Sequence, residues 1–307
     1  MMPRPATLLE KPCRAGARET LLYLYGVARA EQAGLTRDLS QAGLLPGNAV
    51  RLIPFDGLVA LVSDVPKADF TEPALAERLQ DQTWVRAQVL DHHRVLASLP
   101  AVPLLPFKFC TLFTDEAALL RALKRYRADL HTAFGVVEGA REWGVKLSVD
   151  YKALCAHLTA SAPHLAQIAR RVATVGSGTA FFLRRKLETL AREAAIESAG
   201  DRAGAVHKAL DATVRASKVQ AVPADASRTA SDTGGGRELL SNVAYLVPLD
   251  AEERFKQAIA ALARRHMSAG LSFDVVGPLP PYSFAMIAAD GVSSPNAGGP
   301  AAGDASA

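Results

Sequence analysis

The stretch Gly277-Pro278-Leu279-Pro280-Pro281-Tyr282-Ser283-Phe284 sets the tightest local limits on what this chain can fold into. Its prolines lack backbone donors and hold φ near about −65°, which neither a helix interior nor a central strand accommodates. Residues that precede prolines are driven toward extended geometry. The stretch therefore reads as a stiff ribbon that ends one strand, Leu271 to Val276, and begins another near Ser283. A rigid joint between strands is the simpler reading, and a docking surface for a partner is the other.

With 307 residues the chain can bury a sizeable core, and two domains of ordinary size are expected. Apolar residues make up 49% and charged residues 21%, far from a disordered composition, so most of the chain should fold. The 35 Lys and Arg stand against 31 Asp and Glu, and this interspersed net charge of +4 does not argue for nucleic acid. Part of the excess lies in residues 1–18, where Arg4, Lys11, Arg14 and Arg18 face only Glu10; this segment reads as a flexible leader. Ala6 to Leu9 is too short for the apolar core of a secretory signal, and no stretch approaches the ~18 apolar residues of a membrane span. Cys13, Cys110 and Cys155 are widely separated, so neither a disulfide framework nor a zinc site follows, and the expected compartment is the reducing cytoplasm.

Leu21 to Ala28 is an apolar, aromatic run of strand length. A short helix is expected around Arg37 to Gln41; Asp56-Gly57 between Val50–Ile53 and Leu58–Val62 then signals a hairpin. Pro73 suits a first helical turn, and apolar residues recur at helical spacing through Trp84, Val95 and Leu96. Val102 to Phe109 carries two prolines and fits an edge strand. The order over 19–140 is that of a ferredoxin-like βαββαβ α+β sandwich expanded by extra helix. Thr114 can cap the next helix, and Glu142 to Val149 returns to strand character. A long helix runs from Phe181 to Ala199, with a break at Gly200-Asp201 before Ala203 to Ala216. Residues 217–238 are poor in large apolar groups and read as a flexible loop. The strand Asn242 to Leu249, a helix opened by Asp250 and Glu253 as a capping pair, the strand Leu271 to Val276 and the run Phe284 to Ala288 complete a second ferredoxin-like α+β domain over 141–288, with long helices. Residues 289–307 read as a disordered tail.

Candidates for chemistry are few. His92 and His93 beside Asp91 are adjacent rather than three or four apart, which suits a structural role better than a ligand pair. Gly176-Ser177-Gly178-Thr179 before the long helix could cradle a phosphate, making a nucleotide-binding module the alternative function. It lacks the rest of either phosphate-loop fingerprint, and a helix cap by Ser177 or Thr179 accounts for it better. Cys110 lies among apolar residues and reads as inert. Tyr23 and Tyr25 share a strand face and could stack bases on an exposed sheet, although such tyrosines more often belong to a core. No catalytic set, metal or cofactor is called for.

Taken together, Tyr23-Leu24-Tyr25-Gly26-Val27, Val62-Ser63-Asp64-Val65-Pro66 with Phe70, Trp84 with His92 and Val95-Leu96, Leu105 to Phe113, Glu142-Trp143-Gly144-Val145-Lys146, Phe182 to Lys186, Asn242 to Val247 and the closing proline stretch resemble the gas vesicle protein L/F family, in family order from Leu21 to Phe284. Within these blocks Cys110 stands where the family usually has glycine, Lys108 where it has arginine, His93 where it has an acidic residue and Leu279 where it has an aromatic. The resemblance implies a non-enzymatic, cytoplasmic accessory protein of gas vesicle formation that binds the major shell protein, joins other accessory proteins and can sit on the gas-facing shell surface. Covering the unpaired strand edges and apolar faces of such a shell protein before ordered assembly is a physical reason for such a protein. Tyr23, Tyr25, Pro280, Pro281, Tyr282 and Phe284 are the expected partner contacts.

Overall fold

The computed structural model describes residues 20–31, 43–45, 48–98, 103–221 and 236–285. The expected leader, the short helix near Arg37 to Gln41 and the expected tail lie outside them. Two antiparallel sheets organise the molecule.

The first sheet is built on β1 (Thr20–Arg29), which pairs with β3 (Leu58–Pro66) on one side. On the other side it pairs with the short β4 (Leu104–Pro106) and β5 (Leu112–Phe113), and β2 (Arg51–Phe55) closes the outside of β3. The strand order is β2-β3-β1-β4. Asp56 and Gly57 both take positive φ, 47° and 76°, as a two-residue hairpin turn requires. Eight consecutive residues of β1 are buried, the mark of a strand covered on both faces. One face carries α1 (Glu72–Arg78) and α2 (Gln82–Ala97), and the other α3 (Glu116–Arg125) and α4 (Arg127–Val137). A bulge between Leu24 and Gly26 inserts Tyr25 without a partner on β3. Tyr23 and Tyr25 therefore both face α2, while Val27 already points to α4.

The second sheet is centred on β6 (Ala140–Asp150) and has the order β7-β8-β6-β9, with β7 Ala216–Val219, β8 Arg237–Pro248 and β9 Leu271–Leu279. Between β6 and β7 run α5 (Tyr151–Ser161), α6 (Pro163–Val172) and the 35-residue α7 (Ser177–Asp211); α8 (Glu252–Met267) joins β8 to β9. Trp143, Val145, Leu147 and Val149 alternate along β6 and point into one core with Phe255 and Leu210. Lys146 and Ser148 turn to the opposite, more open face.

Several local expectations are corrected. Asp115 rather than Thr114 caps α3, its carboxylate accepting from Ala118 N at 2.7 Å. α7 continues unbroken through Gly200, whose place in the helix meets no crowding. The 217–238 stretch is a loop only in part: backbone pairing with β8 makes Ser217 to Val219 a strand despite the polar Ser217 and Lys218, and β8 itself begins at Arg237. Residues 222–235 lie outside the described residues. Asp250 sits in a short 3-10 turn (Leu249–Ala251), and α8 starts at Glu252 without a side-chain cap. The first strand of the proline stretch runs on to Leu279, because β9 is an edge strand whose outward groups need no partner. Beyond it the chain turns into a single helical turn, α9 (Tyr282–Ala285), rather than a strand.

Candidate functional site

β1 presents Tyr23 and Tyr25 to α2, and helical spacing aims His92 of α2 back at both. Tyr23 Oη lies 2.8 Å from His92 Nδ1, and Cys110 N donates to the same hydroxyl at 3.2 Å. The hydroxyl donates to Nδ1 when the neutral ring carries its proton on Nε2 and accepts from it in the other tautomer. Burial lowers the ring from its usual 6.5 to about 4, with His93 adding repulsion, so it stays neutral near pH 7. One turn away, Tyr25 Oη accepts from Leu44 N and meets Ser63 Oγ, both at 2.8 Å. The Tyr25 ring stacks on His92 at 5.6 Å, and Phe109 stands edge-on to the same imidazole at 6.2 Å. Trp84 joins Phe109 to Phe70 and so closes the aromatic cluster.

Above this cluster lies an apolar groove of about 340 Å³, lined by Val89, Leu90, His92, His93, Phe107, Lys108, Phe109 and Tyr282. Its rim is exposed apolar surface: Val89 is 42% and Leu90 62% accessible. Tyr282 reaches it from the far end of the chain, 6.1 Å from His93.

The closing stretch is anchored from below. Gly277 takes φ 152°, and a Cβ there would meet the Trp143 ring at 2.8 Å, so only glycine lets β9 pass over the indole. Past the prolines, Ser283 N and Oγ both donate to the buried carboxylate of Glu142, at 2.8 and 2.7 Å. Lys218 Nζ donates to the Ser283 carbonyl at 2.6 Å, and Gln220 Nε2 to Ser283 Oγ at 2.9 Å. Burial raises Glu142 above the usual carboxylate range, opposed by Ser283 and Lys218. Tyr282 packs on the α2 side of the first sheet, while Phe284 and Ala285 pack on the α4 side. A segment that belongs by sequence to the second unit thus seals both cores of the first.

These positions sort the expected contacts. Tyr23 and Tyr25 are wholly buried, so they support the groove from within and offer neither a partner contact nor a stacking platform for RNA. Pro280 and Pro281 are buried at the joint; Tyr282 lines the groove, and Phe284, half-buried, lies under the Lys218 ammonium at 5.6 Å. His92, read as structural, is buried against Tyr23 and Tyr25, and both His92 and His93 also line the groove. The adjacent pair hid this because His92 faces inward while His93 stands at the groove wall. Leu90 carried no signal at all, since an exposed leucine on a helix is ordinary until a groove is seen beside it.

The other candidates do not gather. At Gly176 to Thr179, Gly176 itself precedes α7, and no side chain caps the helix, contrary to the expected role of Ser177 or Thr179. A Cβ at Gly176 or Gly178 would meet nothing, so neither glycine serves a close backbone approach. Burial pushes the Cys110 thiol up to about 12, away from a thiolate nucleophile. Among the described residues no group of acidic, His and Cys side chains could hold a metal ion, and no helix is long and apolar enough to cross a membrane.

Residues 21–286 match the family model described as gas vesicle synthesis protein GvpL/GvpF. The chain is 28% identical over 275 residues to gas vesicle protein L of Streptomyces sp. (strain CB03234), covering 89% of this chain and 96% of that protein. It is 29% identical over 263 residues to gas vesicle protein F of the same strain, with 85% and 98% covered. The fold is similar to the crystal structure of the gas vesicle protein GvpF from Anabaena sp. PCC7120, with a TM-score of 0.61 at 18% identity over 88% of this chain and 97% of that one.

Proposed function

The chain belongs to the gas vesicle GvpL/GvpF family, whose members take part in gas vesicle formation, and from that premise we propose that it is a non-enzymatic accessory protein that binds the major shell protein during assembly. The shell protein docks in the groove between α2 and the Phe107 to Phe109 segment. The observation that carries this reading is convergence: Tyr23 and Tyr25, Ser63, His92, Phe107 to Cys110 and Tyr282 come from separate blocks of the family resemblance, and they meet beneath or beside one groove. Its rim exposes Val89 and Leu90, the kind of apolar surface that a soluble protein keeps for a partner. The protein acts in the cytoplasm and at the gas vesicle, with a place on the gas-facing shell surface and contacts to other accessory proteins.

The test is capture of the shell protein by this chain and by Leu90→Asp, whose exposed position leaves the fold intact. Wild-type capture that falls at least tenfold in the variant is expected. Deleting the gene for this chain should abolish vesicles, and normal buoyant vesicles in its absence would sink the proposal.

A further inference from the structure

Among the described residues the two sheets end in β2 and β4 and in β7 and β9. Soluble proteins blunt such ends, because a row of unpaired N–H and C=O groups is a template for another strand. β2 carries Arg51 and Pro54, β4 is three residues ending in Pro106, and β7 is four residues with Lys218 among them. β9 lacks these defences from Leu271 to Val276, which run in unbroken register along β6 with no proline. Asp274 is the one charge in that run, and Lys146 of β6 stands opposite it. Two hydrogen bonds fix which way the backbone of β9 faces: Asp150 N donates to Gly270 O and Leu249 N to Gly139 O, both at 2.9 Å. Bonded and non-bonded pairs alternate in an antiparallel ladder, so even-numbered residues of β6 bond β9 and odd-numbered ones bond β8. Ser272, Asp274 and Val276 therefore turn their N–H and C=O to β6, and Leu271, Phe273 and Val275 turn theirs out to the free edge. Beside that edge Val275 is 37% and Val276 46% exposed.

We propose that β9 pairs with β9 of a second copy of this chain, antiparallel about a twofold axis at Phe273. Leu271 then faces Val275 of the second copy and Phe273 faces its counterpart, so the outward groups of all three residues are met, by roughly six hydrogen bonds. The side chains suit this register. Asp274 stands opposite Ser272 of the second copy, whose hydroxyl can donate to the carboxylate, whereas an axis at Asp274 would oppose two carboxylates. On the core side, exposed Val275 comes beside Leu271 of the second copy and loses its contact with water. Twofold pairing is closed, so it joins two four-stranded sheets into one and stops at the dimer. The dimer goes beyond the proposed role of the groove and does not depend on it.

The experiment follows the full chain by sedimentation equilibrium and by amide hydrogen exchange. A dimer with a Kd of about 10–100 μM is expected, the modest affinity of a small interface. As concentration rises, exchange of the Phe273 and Val275 amides should slow severalfold, while the Ser272 and Asp274 amides, held by β6 at every concentration, should not change. Val275→Pro removes only an outward donor and leaves the β6 ladder in place; it should weaken the dimer at least tenfold. Val275→Lys, which makes no demand on the backbone, should do the same through its charge. Val276→Ser, on the open face, should leave the dimer within about twofold of wild type, which separates edge pairing from general stickiness of exposed valines. A chain that stays monomeric at about 1 mM, or a dimer whose Phe273 and Val275 amides exchange as fast as in the monomer, overturns the proposal. So does a dimer that both Val275 variants leave intact. Polymers that lengthen with concentration would mean that β9 meets the β7 edge of the next copy, which overturns the twofold register.

Discussion

The sheet around β1 and the sheet around β6 run in the same order, with the first strand between the third and fourth and the second outside the third, yet they are covered differently. β1 and β3 are buried on both faces, between α1–α2 and α3–α4, and each carries an apolar run, Leu21 to Ala28 and Leu58 to Val62. β6 alternates, and one core beneath α7 and α8 holds its inner residues. The comparison teaches how one strand plan takes two roles. Double cover lets the first unit hold polar atoms such as Tyr23 Oη and His92 in a dry interior beside a groove. Single cover leaves the second unit a free sheet face on which Glu142, Lys218 and Gln220 receive the chain end.

The largest expected effects test whether the two units depend on different things. Gly277→Ala forces a side chain onto the Trp143 ring at positive φ and should cost about 3 kcal/mol, read as a lower denaturation midpoint of the second unit. Acid should act mainly on the first unit. His92 is held at about 4 against an ordinary 6.5, so the unfolded chain takes up its proton first and stability falls as pH drops through that window. The loss should reach up to about 3 kcal/mol by pH 4, followed by fluorescence of the neighbouring Trp84. Stability that did not fall between pH 6.5 and 4, or that fell equally in His92→Gln, would break the assignment to His92. Tyr23→Phe strips the hydroxyl from His92 and from Cys110 N and should cost about 2 kcal/mol, with no change in the second unit by hydrogen exchange. Ser283→Ala should cost only about 1 kcal/mol, yet split one calorimetric transition into two by loosening the chain end from Glu142. A single unbroken transition in that variant would show that the apolar contacts of Phe284 and Ala285 alone couple the units.

Much of this architecture could be read from residues with local causes. The β1 run, the Asp56-Gly57 turn and the helices with apolar faces follow from periodicity and backbone chemistry within a few positions. What escaped was decided at a distance. Ser217 and Lys218 do not favour a strand and join β7 because β8 offers an edge. The Gly200 region looked like a helix break, but packing along α7 holds it helical. The candidate groove is legible only in fragments: of the tyrosines singled out, Tyr282 lines it, while Tyr23 and Tyr25 are buried beneath it. No local signal distinguishes a tyrosine that touches a partner from one that holds the residue beneath it.

The closing turn at Tyr282 to Ala285 has a consequence for how this protein comes into being. Translation delivers β1 first and these four residues more than two hundred positions later, yet the first unit's cores remain unsealed until they arrive. During synthesis the groove wall that Tyr282 supplies does not exist, and the nascent first unit carries an open apolar seam. A nascent chain that has not yet reached Tyr282 is therefore unable to offer the finished groove.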